Sequence, residues 1–162
     1  MGGQVDKLKV WVDGLCEAKN PGGYGCYGWT ALDESDVEQA HGIGCIGVGE
    51  GITNNLAEYA ALIGVLRWLN EFGYTHVAIF SDSQLVVNQV AGIWKCNKPQ
   101  LQVRRRVARE LWHDDYTLTW VPREQNERAD ALSHVAYAKA RKLSAVQNDA
   151  KFDEVEDLRS PV

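Results

Sequence analysis

Two acidic residues stand where predicted strands end. Asp13 follows the run 9–12 and Asp82 follows the run 76–81, and both runs are rich in β-branched and aromatic residues, as strands are. If these strands lie side by side and parallel, both carboxylates meet at the sheet edge where open α/β sheets place their ligands. Two carboxylates that close together repel each other unless a proton or a metal ion lies between them.

Two further acids, Glu58 and Asp130, lie about one turn inside predicted helices. Thr53 or Asn54 is a suitable N-cap for the first helix, and Asn126 for the last. A crevice lined by four carboxylates and no basic residue favours hard divalent cations with oxygen ligands, magnesium or manganese. Two such ions about 4 Å apart can activate a water and stabilise the leaving oxygen of a phosphoryl displacement. Each acid alone is more simply interpreted as a cap, so the metal site rests on the joint pattern.

The other elements complete one domain. The chain has 162 residues, 45% of them hydrophobic, which is enough for a core. Strands at 24–32 and 37–48 follow the first strand as an antiparallel meander, because their connections are short. A short helix at 83–90, a helix starting at Pro99 and a strand at 117–121 precede the last helix, which runs to about residue 143. The acidic segment 144–162 lacks periodicity, so we expect a tail outside the domain 1–143 and a candidate for disorder.

Charge and cysteine content exclude several classes of protein. The four cysteines form no C-x-x-C pair and no zinc-ligand spacing with the histidines. No apolar run has the length of a signal peptide or a membrane span, so we expect a cytoplasmic monomer with free thiols and no obligate protein partner.

The net charge is −5, yet the stretch 94–109 holds six basic residues and a single tryptophan but no acid. This stretch predicts either phosphate contacts or the solvated face of a helix.

Five segments resemble, in order, the motifs of the type 1 ribonuclease H family. They are V-D-G at 12–14, N-P-G-G-Y-G at 20–25, T-N-N-L-A-E at 53–58, S-D-S-Q at 81–84 and N-E-R-A-D at 126–130. The resemblance covers roughly residues 8–140. It implies the α/β ribonuclease H-like fold: a five-stranded mixed sheet flanked by helices, with strands 1–3 as an antiparallel meander and strands 4 and 5 parallel to strand 1. It also implies a metal-dependent endoribonuclease that cuts the RNA strand of RNA/DNA hybrids and leaves 5′-phosphate and 3′-hydroxyl ends.

The resemblance also assigns roles to residues. It implies a site for two Mg²⁺ ions, with Mn²⁺ as an alternative, made of Asp13, Glu58, Asp82 and Asp130. Asp13 would bridge the ions, Asp130 would help to hold the ion that activates water, and the other two would hold the ion beside the leaving 3′-oxygen. Contacts to the hybrid, including the 2′-hydroxyl groups that distinguish RNA from DNA, would come from Gly14, Cys16, Asn20, Thr53, Asn54, Asn55, Gln84, Trp94 and Arg123. Helix capping, a buried thiol and core packing are the simpler interpretations of the asparagines, Cys16 and Trp94.

Two departures from well-known members stand out. The segment 92–99 is short, so the basic protrusion of those enzymes is expected to be absent and binding to be weaker and more dependent on salt. The loop 121–125 has no histidine, and Arg123 is a hypothetical substitute that would contact the leaving phosphate. Two alternatives stay open: a hybrid-binding module without turnover, and another enzyme of this fold such as a transposase, a junction resolvase or an actin-like ATPase.

Overall fold

A mixed six-stranded sheet forms the centre of the computed structural model, which describes residues 7–146 and 150–159. Helices pack on both faces of the sheet. The strands are β1 (Lys7–Glu17), β2 (Tyr24–Leu32), β3 (Glu38–Val48), β4 (His76–Ser81), β5 (Tyr116–Trp120) and β6 (Phe152–Asp157). The helices are α1 (Asn54–Glu71), α2 (Gln84–Val90), α3 (Pro99–Glu110) and α4 (Glu127–Val146). No helix in these two ranges is long and apolar enough to cross a bilayer.

The strand order β5-β4-β1-β2-β3-β6 confirms the predicted arrangement of the first five strands. β1, β2 and β3 pair as an antiparallel meander, β4 is parallel to β1, and β5 is parallel to β4. Val12 lies opposite Ser81 in the register of β1 and β4. The next residue on each strand is an aspartate, so Asp13 and Asp82 emerge side by side.

The sixth strand corrects the prediction of five strands and of a disordered tail. β6 pairs antiparallel with β3, from Ala40 opposite Asp157 to Cys45 opposite Phe152. The thiol of Cys45 also donates to the carbonyl of Ala150 at 2.9 Å. Most side chains of β6 are exposed and acidic, which is why the segment carries no apolar alternation. Tail residues 147–149 and 160–162 lie outside the described residues.

Two apolar layers hold the helices against the sheet. α1 packs on one face over residues such as Val10, Val12 and Trp29, all at most 1% exposed. α4 packs on the other face through Leu132 and small residues. Because both helices begin at the edge where β1 and β4 end, their first turns reach the two strand-end aspartates.

Candidate active site

Three carboxylates meet where the pairing of β1 with β4 ends; β1 itself does not end at Asp13, as predicted, but continues along β2 to Glu17. Asp13, Glu58 and Asp82 each place one carboxylate oxygen within 4.8 Å of the other two. Asp13 is 6% exposed and Glu58 is 8% exposed, while Asp82 is half-buried. The structure therefore brings together three of the four predicted acids from separate elements, in surroundings that offer little water to solvate their charge.

Gly14 allows β1 to approach the first turn of α1. A Cβ at this position would lie 2.3 Å from the carbonyl carbon of Ala57 and 2.4 Å from the backbone nitrogen of Glu58. No side chain fits there without moving the helix. The backbone of Gly14 also lies close enough to the Glu58 carboxylate to favour its charged form and to oppose the rise of its pKa. Gly14, predicted as a substrate contact, thus sets the spacing between Asp13 and Glu58.

Asp130 borders this group on the side of Asp13. It lies in the first turn of α4, and its carboxyl group is within hydrogen-bonding reach of Asp13. Asp130 is not part of the 4.8 Å group, and about a third of its side chain is exposed. Oδ1 of Asp130 lies 3.5 Å from Nε2 of His134, one turn further along the helix. All four acids therefore line one crevice, with Asp130 at its solvent side.

Carboxylates dominate the charge of the crevice among the described residues. Burial and the charge of Asp82 raise the pKa of Asp13 to about 8. Burial and the two neighbouring carboxylates raise the pKa of Glu58 well above its usual range. Oε2 of Glu58 is buried without a hydrogen-bond partner among the described residues. This unpaired, buried oxygen belongs to a group of possible metal ligands that are all carboxylates. Such a group fits a hard divalent cation such as Mg²⁺ or Mn²⁺.

Asn20 and Asn54 are paired at the rim of the crevice. Nδ2 of Asn20 donates to Oδ1 of Asn54 at 2.8 Å, and the backbone N–H of Asn54 donates to Oδ1 of Asn20 at 3.2 Å. Thr53 is the N-cap of α1 and accepts from the backbone of Leu56 at 3.2 Å. Thr53 therefore caps α1. Asn55, whose side chain is half-buried, follows Asn54 directly in the chain.

Cys16 and Trp94 have different surroundings. Cys16 is buried, and its thiol donates to the carbonyl oxygens of Lys19 at 3.2 Å and Ile52 at 3.6 Å. These contacts support a structural thiol. Trp94 is 45% exposed on the loop after α2 and follows Ile93, which is 72% exposed, so core packing does not explain it.

Gln84 and Arg123 flank the Asp82 end of the crevice. Gln84 is exposed at the first position of α2. Arg123 is exposed at the start of a short 3-10 turn, Arg123–Gln125. Burial raises the pKa of Asp82, and the charge of Arg123 opposes that rise. Arg123 therefore supplies the positive charge that acts on the Asp82 side of the crevice.

Part of the basic stretch has an internal role. Nε of Arg105 donates to the carbonyl of Gln89 at 2.8 Å, and Nη2 of Arg109 donates to that of Val90 at 3.2 Å. These two arginines satisfy the carbonyl groups at the end of α2. Lys95, Lys98 and Arg106 remain exposed.

The sequence reasoning missed one residue of the crevice. Asn126 was assigned only as a cap, yet it is 1% exposed and its Nδ2 donates to the carbonyl of Val12 at 2.8 Å. An asparagine before a helix usually caps it, so no local signal distinguishes this long-range contact.

The family model described as "Reverse transcriptase-like" matches residues 12–136. Ribonuclease HI of Halobacterium salinarum is 41% identical over 132 residues, which are 80% of this chain and 64% of that protein. Bifunctional protein Rv2228c of Mycobacterium tuberculosis is 37% identical over an alignment of 163 positions, which covers 96% of this chain and 42% of that protein. The chain thus spans less than two thirds of either relative.

A solved structure shares the fold. The crystal structure of LC11-RNase H1 in complex with an RNA/DNA hybrid superimposes with a TM-score of 0.75 at 30% identity, covering 83% of this chain and 99% of that chain. The complex shows an RNA/DNA hybrid bound by a protein of this fold.

Proposed function

Because the chain belongs to the type 1 ribonuclease H family, we propose that it is a metal-dependent endoribonuclease that hydrolyses the RNA strand of RNA/DNA hybrids. The observation that carries the proposal is the crevice itself: ligand oxygens of Asp13, Glu58 and Asp82 lie within 4.8 Å of one another, and a buried oxygen of Glu58 has no hydrogen-bond partner in the described part of the chain. Clustered carboxylates repel one another and destabilise the metal-free protein. Bound cations would offset this repulsion.

The four acids divide into two overlapping groups of ligands. Asp13, Glu58 and Asp82 would hold one Mg²⁺ ion, and Asp13 with Asp130 the other, since Asp130 reaches Asp13 but lies outside the tighter group. Ions held by these residues would supply Lewis-acid activation of a water and stabilisation of the leaving 3′-oxygen, chemistry that would leave 5′-phosphate and 3′-hydroxyl ends. Arg123 would contact the phosphate beside Asp82.

Recognition of the hybrid would use polar groups at the rim. Asn20, Asn54, Asn55 and Gln84 offer amides that can both donate to and accept from a 2′-hydroxyl group. Thr53 would contact a phosphate of the DNA strand, and Trp94 would pack against its sugars from an exposed loop.

A cytoplasmic monomer completes the proposal. The four cysteines are buried and unpaired within the described residues, which supports a reducing compartment. Size-exclusion chromatography with light scattering tests the monomer, and a dimer mass would contradict it.

The test is a strand-labelled RNA/DNA hybrid, with single-stranded and duplex RNA as controls, incubated with Mg²⁺, Mn²⁺ or EDTA. We expect cleavage of the RNA strand of the hybrid only when a metal is added. Asp13→Asn and Asp82→Asn should reduce cleavage by at least about 10³-fold while fluorescence anisotropy shows retained hybrid binding, because each removes a charged ligand. Glu34→Gln, at an exposed turn, is the matched control.

Two results would contradict the proposal. Cleavage retained in either aspartate variant would reject the site. Hybrid binding by the native protein without cleavage under either metal would favour a binding module, although clustered carboxylates facing phosphates weaken binding by a protein that holds no metal.

A further inference from the structure

The pairing of β1 with β4 ends at the peptide that precedes Asp13. Val12 opposite Ser81 is the last pair of this ladder, and both residues are at most 1% exposed. A buried carbonyl at the end of a ladder requires a donor from elsewhere. The side chain of Asn126, itself 1% exposed, supplies that donor to the Val12 carbonyl at 2.8 Å.

Asn126 also lies beside the parts of the crevice that carry Asp82 and Asp130. The Asn126 side chain lies within hydrogen-bonding reach of the Asp82 carboxylate, where it opposes the rise in pKa that burial causes. Its backbone carbonyl accepts from the N–H of Asp130 at 3.1 Å, within the first turn of α4. One residue therefore hydrogen-bonds to β1 immediately before Asp13 and to the turn that carries Asp130, and it lies near the carboxylate of Asp82.

We propose that Asn126 is a positioning residue that sets the spacing of Asp13, Asp82 and Asp130 for divalent cations. This inference rests on the proposed function only in that the crevice binds such ions. Three carboxylates from β1, β4 and α4 repel one another, and no covalent link holds their elements at a fixed distance. Asn126 opposes that repulsion because its buried amide ties the backbone of β1 to the residue that opens α4. Groups that orient metal ligands from outside the ligand set typically change metal affinity or activity by about 10–100-fold when removed.

The experiment compares Asn126→Ala and Asn126→Leu with Tyr116→Phe. Leu keeps the branched shape of Asn, has a larger volume and carries no donor, so it separates the lost hydrogen bond from a cavity. Tyr116→Phe is the matched control because it also deletes one hydrogen bond of a buried residue, the partly buried bond from Tyr116 to the carbonyl of Tyr74 at 2.7 Å, at the far end of β5. Isothermal titration calorimetry of the substrate-free protein gives the Mg²⁺ affinity, and thermal unfolding in EDTA gives the stability of each variant.

We expect the Asn126 variants to bind Mg²⁺ about tenfold or more weakly and to need correspondingly more Mg²⁺ for half-maximal cleavage. Tyr116→Phe should lose comparable stability and keep the Mg²⁺ affinity of the native protein. Native Mg²⁺ affinity in a folded Asn126 variant would overturn the inference. If Asn126→Ala fails to fold, Asn126→Leu decides the question by the same measurement. A native protein that binds Mg²⁺ but cleaves no hybrid contradicts the proposed function, and the calorimetric comparison then still tests Asn126.

Discussion

Replacing Asp13 by Asn should stabilise the metal-free protein while abolishing cleavage. Asp13 is 6% exposed, and burial together with the charge of Asp82 raises its pKa from 3.8 to about 8. In the unfolded chain the carboxyl group ionises freely, whereas the folded state must either keep the proton or bury the charge. Asn has nearly the same shape and no charge to bury, so this cost disappears in the variant.

The size of the effect follows from the two pKa values. At about pH 7 the folded protein binds a proton that the unfolded chain has released, which costs about 4 kcal/mol at 1.36 kcal/mol per pKa unit. Because Glu58 and Asp82 share the same crevice, relaxation among the three groups absorbs part of this cost. We therefore expect a gain of about 2–4 kcal/mol, or roughly 5–15 °C in Tm for a domain of this size.

The pH dependence has a definite sign. A folded-state pKa above the unfolded value gives stability that is complete below pH 3.8 and is lost as the pH rises towards about 8. The stability of the native protein should fall across this window, and the Asp13→Asn curve should be flatter. Saturating Mg²⁺ should narrow the difference, because the ion stabilises only the protein that binds it.

Thermal and urea unfolding in EDTA across this pH range measure both curves. Glu34→Gln, which removes an exposed carboxylate at the turn after β2, should follow the native protein at every pH. The reasoning is refuted if Asp13→Asn is no more stable than the native protein near pH 8 in EDTA. It is also refuted if the stability of the native protein rises with pH across the window.

Two further changes test the elements that support the crevice. Thr53→Ala should lower the free energy of unfolding by about 1 kcal/mol, because the backbone N–H of Leu56 loses its capping acceptor at the start of α1. Thr53→Ser should restore the free energy of unfolding, as measured by urea unfolding. Equal stability of all three proteins would contradict the cap. Arg159→Ala should lower it by about 1 kcal/mol, because the guanidinium group pairs with Asp157 and lies 4.3 Å from the ring centroid of Phe72. Arg159→Lys keeps the charge without the planar group and should recover only part of the loss. An unchanged Tm in Arg159→Ala would show that the end of the tail does not stabilise the fold.

Most elements of the fold could be predicted from local patterns. The N-cap at Thr53, the helical spacing of apolar residues after it and the β-branched and aromatic residues of β1 and β4 depend on neighbours within a few positions. The sixth strand was not predicted because it depends on a distant part of the chain and not on its own local pattern. β6 is an exposed edge strand whose acidic side chains need no apolar partner, so its only strong determinant is the hydrogen-bonded edge of β3, over a hundred residues away.

In the candidate site, too, some features could be predicted from the sequence and others could not. Asp13, Glu58, Asp82 and Asp130 could be chosen from the sequence because carboxylates at strand ends and first helical turns follow from element boundaries. Their distances could not, because they depend on contacts between elements that are distant in the chain.

By itself, the sequence determined the type and order of the elements, the acidic character of the crevice and the membership of the family. Only the tertiary structure decided that β1 can approach α1 because Gly14 has no side chain, that Asn126 joins β1 to α4, and that the tail extends the sheet. The physical reason is the range of the interactions: propensities and caps act within one or two turns. Close packing and buried hydrogen bonds act wherever the folded chain brings two segments into contact.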